Sequence, residues 1–227
     1  MSRKEKYLVI VAGGTGKRMQ AAIPKQFLRL LDKPVLMHVF DRFYAWDPGF
    51  KFILVLPGKH IDHWKKLIEE YDFRIPHITL AGGKERFESV QIGLNAIDAP
   101  VGFVGIHDGV RPLVTNQLIQ RVFENAEQLG NAVPVVPVRE SVRWMEKDQS
   151  KILDRSKIRL VQTPQVFDLA LIKEAYRQDY RPEFTDDATV LESAGYKINL
   201  VEGDPANIKI TETVDLKMAG YLISSQG

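Results

Sequence analysis

The chain has 227 residues, with 31 Lys and Arg against 29 Asp and Glu for a net charge of +2. So weak a summed field excludes a nucleic-acid or anionic-membrane binder of the bulk-charge kind, and any anion site has to be local. There is no cysteine, hence no disulfide framework, thiolate nucleophile or Cys-ligated zinc, and a cytoplasmic protein is expected.

The length suits one α/β domain spanning residues 1–227 with a sizeable core. Residues 1–6 are polar and lead into an apolar run too short for a signal sequence or a membrane span. That run, 7–11, is the first predicted strand. Ala12-Gly13-Gly14-Thr15-Gly16-Lys17-Arg18-Met19 follows it directly, at the edge where open α/β sheets hold ligands. Glycines there let backbone N–H groups approach phosphate oxygens closely. The spacing is not a P-loop, since Arg18 stands where Ser or Thr belongs. It is not a dinucleotide fingerprint either, since Met19 stands at the third glycine position. A plain structural turn is the competing reading. Arg18 and the Pro24-Lys25-Gln26-Phe27 run behind the turn favour a nucleoside triphosphate.

Apolar residues at three- and four-residue spacing predict helices over 34–44, 61–71, 89–97, 116–129 and 169–176. Short runs rich in Val and Ile predict buried strands over 52–56, 103–106 and 132–138. This alternation predicts a single doubly wound, mostly parallel sheet. His60-x-x-His63 places two imidazoles on one helix face, read as a solvated face rather than a metal site, and Lys65-Lys66 is read as surface. Gly82-Gly83 reads as a turn and Ser89 as a helix-start residue unless a ligand sits there. His107-Asp108-Gly109-Val110-Arg111-Pro112 closes a buried strand with a carboxylate and a guanidinium. A structural Asp108–Arg111 salt bridge stands as the alternative to ligand contacts, and His107 is read as a hydrogen-bonded structural residue.

Residues 139–161 break the alternation with polar and charged positions around a Lys147-Asp148-Gln149-Ser150 turn. A long hairpin is predicted, and because a two-stranded hairpin is marginal alone in water it must pack on its own domain or on another subunit. Thr185-Asp186-Asp187 precedes a short apolar-periodic run as a helix N-cap would.

The ordered blocks carry a resemblance. Ala12-Gly13-Gly14-x-Gly16-x-Arg18-Met19, Pro24-Lys25-Gln26-Phe27, Gly82-Gly83-x-Glu85-Arg86-x-x-Ser89-Val90, His107-Asp108-x-x-Arg111-Pro112, Thr163-Pro164-Gln165, Thr185-Asp186-Asp187-Ala188 and Asn207-Ile208-Lys209-Ile210-Thr211 together resemble the 2-C-methyl-D-erythritol 4-phosphate cytidylyltransferases of the non-mevalonate isoprenoid pathway. The resemblance runs nearly end to end. It implies a nucleotidyltransferase fold, Rossmann-like, with a protruding β-hairpin arm over 139–163 that makes a homodimer. It also implies transfer of the cytidylyl group of CTP to a sugar or polyol phosphate with loss of pyrophosphate. By the same resemblance Arg18, Lys25 and Lys209 stabilise the transition state, and Ala12, Gly13, Gly14, Gly16, Gly82, Gly83, Ser89, Asp108 and Gly109 bind the nucleotide. Asp108, Arg111, Thr185 and Lys209 meet the second substrate, as do Ser141 and Arg155 from a neighbouring subunit's arm. Mg²⁺ is expected as a cofactor held mainly by the CTP phosphates, with no protein ligand named for it. Lys84 and Ala206 depart from the family's usual residues, and Ala206 removes one possible acidic metal contact. A ribitol 5-phosphate cytidylyltransferase, a non-catalytic nucleotide-binding domain and a nicotinamide oxidoreductase are the rival readings. The first differs in its sugar, the second is expected to lack a phosphate-directed cation, and the third conflicts with the glycine spacing.

Overall fold

The computed structural model describes residues 4–14 and 23–225. The chain lays down β1 (Lys6–Val11), a short hairpin of β2 (Arg29–Leu30) and β3 (Lys33–Pro34), α1 (Val35–Trp46), β4 (Lys51–Leu56) and α2 (Ile61–Glu70). Next come β5 (His77–Ala81), α3 (Arg86–Asn95), β6 (Phe103–Asp108), α4 (Asn116–Leu129) and β7 (Asn131–Pro137). The second half adds β8 (Val142–Glu146), β9 (Gln149–Leu153), β10 (Arg159–Val161), β11 (Gln165–Asp168), α5 (Leu169–Ala175), α6 (Asp187–Ser193), β12 (Leu200–Glu202) and α7 (Thr213–Ser224).

The main sheet runs β10-β7-β11-β6-β1-β4-β5, with β12 also paired to β7. Strand β1 lies parallel to both β4 and β6. The chain winds from β1 outward to β4 and β5, then returns to β6 on the other side, so the strand order reverses between β1 and β6. That reversal opens a crevice at the carboxyl ends of the two strands, where such sheets bind ligands. The sheet is mixed at its far side, where β11 runs antiparallel to both β6 and β7.

Alternation along β1 divides the core. Leu8 and Ile10 pack with Phe40, Trp64, Leu118 and Phe123 of α1, α2 and α4, while Tyr7, Val9 and Val11 pack with Val90, Leu94, Ile172 and Leu191 of α3, α5 and α6. A third, smaller cluster seats α7 through Ala219 against Leu30, Val35, Val110 and Ile210. Ile210, next to Lys209, belongs to this cluster.

Several boundaries differ from the sequence-based expectation, two of them at the site. The helix expected at 89 begins at Arg86, because Glu85 and Glu88 close a reciprocal capping box ahead of it. The strand expected to stop at 106 runs on through Asp108, since His107 and Asp108 pair with Ile10 and Val11. The 139–161 segment forms the expected hairpin. Strands β8 and β9 pair with each other as a separate two-stranded sheet, with Trp144, Met145 and Ile152 more than half exposed. β10 then returns to pair with β7, and Gln162 and Thr163 are buried. Among the described residues no helix is long and apolar enough to cross a membrane.

Candidate active site

The crevice is a cavity of about 340 Å³ whose lining includes Ala12, Gly13, Gly14, Lys25, Gly83, Arg86, Ser89, Asp108 and Lys209. Half of the candidate site residues singled out in the sequence therefore meet there. Gly16 and Arg18 lie outside the described residues.

Local structure explains the glycine turn. A methyl group at Gly14 would come within 3.3 Å of Lys25 Cε, so the lysine stem crosses the turn where a side chain is missing. At Gly13 it would meet nothing within 4 Å among the described residues, which leaves that backbone open to a ligand on their side. Gln26 donates from Nε2 to the Ala12 carbonyl at 2.8 Å, tying the lysine's segment to the end of β1. Lys25 is buried, and its charge reaches Asp215 in the first turn of α7. Burial works to raise the Asp215 carboxyl, but hydrogen bonds from Thr211 and Glu212 together with Lys25 hold it below the usual carboxylate range.

The two histidines read as a solvated face serve this segment instead. His63 and His60 lie edge-on to Phe27, with ring centroids 4.9 and 5.9 Å away, and His60 precedes α2 rather than belonging to it. They brace the residue two positions after Lys25.

Gly82 and Gly109 form the wall behind the lining. The Gly82 amide donates to Leu56, and a Cβ there would stand 2.7 Å from Ser89 Oγ. The Gly109 amide donates to Val11, and a Cβ there would stand 2.8 Å from that of Ala12. Both positions need glycine for close approach of neighbouring elements. The Ser89 hydroxyl donates to the Glu85 carbonyl at 3.1 Å.

Asp108 is the electrostatic centre of the cavity. Lys209 Nζ lies 3.0 Å and Arg111 Nε 3.2 Å from its Oδ2. Burial alone would push this carboxyl up, but Lys209, Arg86 and Arg111 together hold it well below the usual range. Arg111 also donates to the Asn207 carbonyl at 2.8 Å, so the structural salt bridge considered for Asp108 and Arg111 is present. Lys209, with its side chain 42% exposed, offers its charge to the cavity.

His107 is structural, as expected. Its Nε2 faces the Arg111 carbonyl at 3.1 Å and its Nδ1 faces the Thr163 hydroxyl at 3.0 Å. A carbonyl only accepts, so Nε2 carries the hydrogen; Nδ1 of the neutral ring then accepts from Thr163, whose oxygen takes the Asp108 amide. Burial lowers the imidazole to about 4, which keeps it neutral.

The remaining expectations fall elsewhere. Thr185 is exposed and does not line the cavity; the cap of α6 is its neighbour Asp186, which accepts from the Thr189 amide at 2.9 Å. Ser141 and Arg155 are exposed in the arm, with the Arg155 guanidinium donating to the Arg139 carbonyl. Neither lines the cavity of its own chain. Arg86, present in a quoted block without a role, proves to be a lining residue paired with Asp187. Its block was legible in the sequence, but a partner 101 positions away was not.

Divalent-cation chemistry suits this donor set in one form. Among the described residues no group of three His, Asp or Glu is placed to hold a metal, and Asp204, beside Ala206, is taken up by Thr115 and the Ala206 amide. Asp108 and Glu85 are the cavity's carboxylates, which fits an ion that keeps most of its coordination on phosphate and water.

A family model for 2-C-methyl-D-erythritol 4-phosphate cytidylyltransferase matches residues 7–225. The chain belongs to that family. Its relatives include the 2-C-methyl-D-erythritol 4-phosphate cytidylyltransferase of Bacteroides thetaiotaomicron, 48% identical over 216 residues that make up 95% of this chain and 98% of the relative. Among solved structures, the cytidylyltransferase of that name from Thermus thermophilus superposes with a TM-score of 0.78 at 31% identity, covering 97% of this chain and 99% of the other. The bifunctional IspDF from Campylobacter jejuni gives 0.79 at 32% identity over 94% of this chain, which spans about half, 53%, of that longer protein. Family membership makes the chain a transferase, a cytidylyltransferase of isoprenoid precursor synthesis. It sets aside the pentitol, non-catalytic and nicotinamide readings.

Proposed function

We propose that this cavity joins CTP to 2-C-methyl-D-erythritol 4-phosphate by direct attack of a substrate phosphate oxygen on the α-phosphorus, forming one P–O bond as the bond to the β-phosphate breaks and pyrophosphate leaves. The observation that carries the reading is the convergence of Lys25, Lys209 and the open Gly13 backbone on one cavity at the β1–β6 reversal. A phosphate monoester is largely ionised near neutral pH, so the nucleophile needs no side chain to activate it. The chemistry asks for alignment of two polyanions and for cations where charge develops.

Each side chain then has a task. Lys25, braced by Gln26 and Phe27, faces the triphosphate, with Arg18 as its expected partner. Lys209 pairs with Asp108 and offers its ammonium to the incoming phosphate. Asp108 holds Lys209 and Arg111 in place and presents a carboxylate to the ribose or the metal shell. The Gly82–Gly83 backbone and the Ser89 hydroxyl face the cytosine edge. Asp108 would stand beside a Mg²⁺ ion carried mainly by the nucleotide's phosphates, and such an ion would supply charge neutralisation for the departing pyrophosphate.

The second substrate's site is completed by a homodimer. Ser141 and Arg155 stand on an exposed hairpin that lacks cover of its own, and a two-stranded hairpin with Trp144 and Ile152 in water is poorly stable alone. In a cytoplasmic dimer the arm covers these side chains and brings Arg155 to the partner's substrate phosphate. Thr185, exposed just before α6, offers its hydroxyl to the same substrate.

The stereochemical course tests the direct displacement. CTP made chiral at the α-phosphorus by sulfur substitution is expected to give product of inverted configuration. Retention would require a covalent nucleotidyl-enzyme and contradict the mechanism.

A further inference from the structure

Arg86 and Asp187 form an ion pair that the transfer chemistry has not used. Arg86 opens α3, and its two terminal nitrogens donate to Asp187 at 2.8 and 2.7 Å in a two-pronged fork. Asp187 is fully buried and accepts a third hydrogen bond from the Tyr176 hydroxyl at 2.6 Å. Tyr176 stacks on Phe87, ring centroids 4.8 Å apart, and its carbonyl takes Gln91 Nε2 at 2.6 Å. Three elements are thus fastened at one point: the start of α3, the end of α5 and the start of α6.

A pair of this kind is a poor source of stability. Its desolvation cost is large, and well-packed apolar side chains commonly do as well or better. What a fork supplies is orientation. Here one end faces the cavity beside Gly83 and Ser89, and the other holds Asp187, two residues beyond Thr185.

We propose that Arg86 is a positioning residue for the transfer, fixing the wall that faces the base in register with the segment that carries Thr185, so that both substrates are aligned through one strut. This rests on the roles assigned above to Ser89 and Thr185. The cation also works at a distance, since Arg86 is among the charges that keep Asp108 ionised. Lysine would keep that charge but not the two-pronged geometry.

The test compares Arg86→Lys, Asp187→Asn and the milder Tyr176→Phe with the unmodified full chain, well below each variant's melting temperature. CTP affinity is read by calorimetry and the KM for methylerythritol phosphate by pyrophosphate release. The strut predicts that Arg86→Lys and Asp187→Asn weaken CTP binding about tenfold or more and raise the sugar-phosphate KM alongside it, with Tyr176→Phe smaller in the same direction. Lowered melting temperatures with both constants within about twofold of the parent would reduce the pair to a structural one and overturn the proposal. Ser89→Ala and Thr185→Ala run in parallel. If those two change nothing while Arg86→Lys does, their assigned roles fail and the strut stands.

Discussion

Asp108 and His107 are neighbours in one strand, yet the fold drives their ionisation to opposite ends. Asp108 is charged because three cations outweigh its burial; His107 is neutral because nothing outweighs its own. The second has a measurable consequence. The unfolded chain binds a proton at this imidazole near 6.5 and the folded chain only at about 4, so between those values the unfolded state holds more protons and stability falls as the pH falls. His38 and His77, also depressed by burial, act in the same direction. Melting curves from pH 7 to 4 are therefore expected to drop in temperature, and His107→Gln is expected to flatten that drop, leaving the part due to the other depressed groups, His38, His60 and His77 among them. An unchanged slope in the variant would remove His107 from the account.

Helix α3 carries Arg86 and Ser89 in the cavity wall, and its distance from the sheet is set by a missing side chain. A Cβ at Gly93 would stand 2.6 Å from Val9 Cγ1 and 3.2 Å from Val55 Cγ2. Alanine normally stabilises a helix interior by about 1 kcal/mol over glycine, but here it overpacks a closed core at a cost of roughly 1–3 kcal/mol. Gly93→Ala is thus expected to lower the melting temperature and, by moving α3 outward with Ser89, to raise the KM for CTP; a raised melting temperature would contradict the packing. The helix itself was legible from its apolar spacing, and so were β1, β4, β6 and β7 from their Val- and Ile-rich runs. Its start was not, because the capping box is made by two glutamates, Glu85 and Glu88, rather than by the Ser or Thr that usually opens one. Strand β5 was hidden by its half-exposed edge position, and β11 by a polar first residue, Gln165, that is wholly buried. Most of the site was legible for a chemical reason: glycines and cations fall at strand ends in chain order. Arg86–Asp187 was not, because their meeting is a product of the winding.

At the scale of the whole molecule, the cavity gathers Lys25, Lys209 and the glycine turn, while Ser141 and Arg155 stand on the arm and do not line it. If each arm completes its neighbour's site, activity is recoverable from two crippled chains. Lys25→Ala and Arg155→Ala homodimers are each expected to be impaired. After mixing and subunit exchange, half the dimers are mixed and one of their two sites has both residues, so about a quarter of parental activity returns. No recovery would place Arg155 in its own chain's site or outside the chemistry. The central claim, a cavity that transfers cytidylyl to methylerythritol phosphate through charge supplied by Lys25, is tested most directly by pyrophosphate release from CTP and Mg²⁺. The protein is expected to turn over 2-C-methyl-D-erythritol 4-phosphate and not ribitol 5-phosphate, with Lys25→Ala folded but slower by at least about a hundredfold. Equal turnover of ribitol 5-phosphate, or near-parental rates in Lys25→Ala, would contradict it.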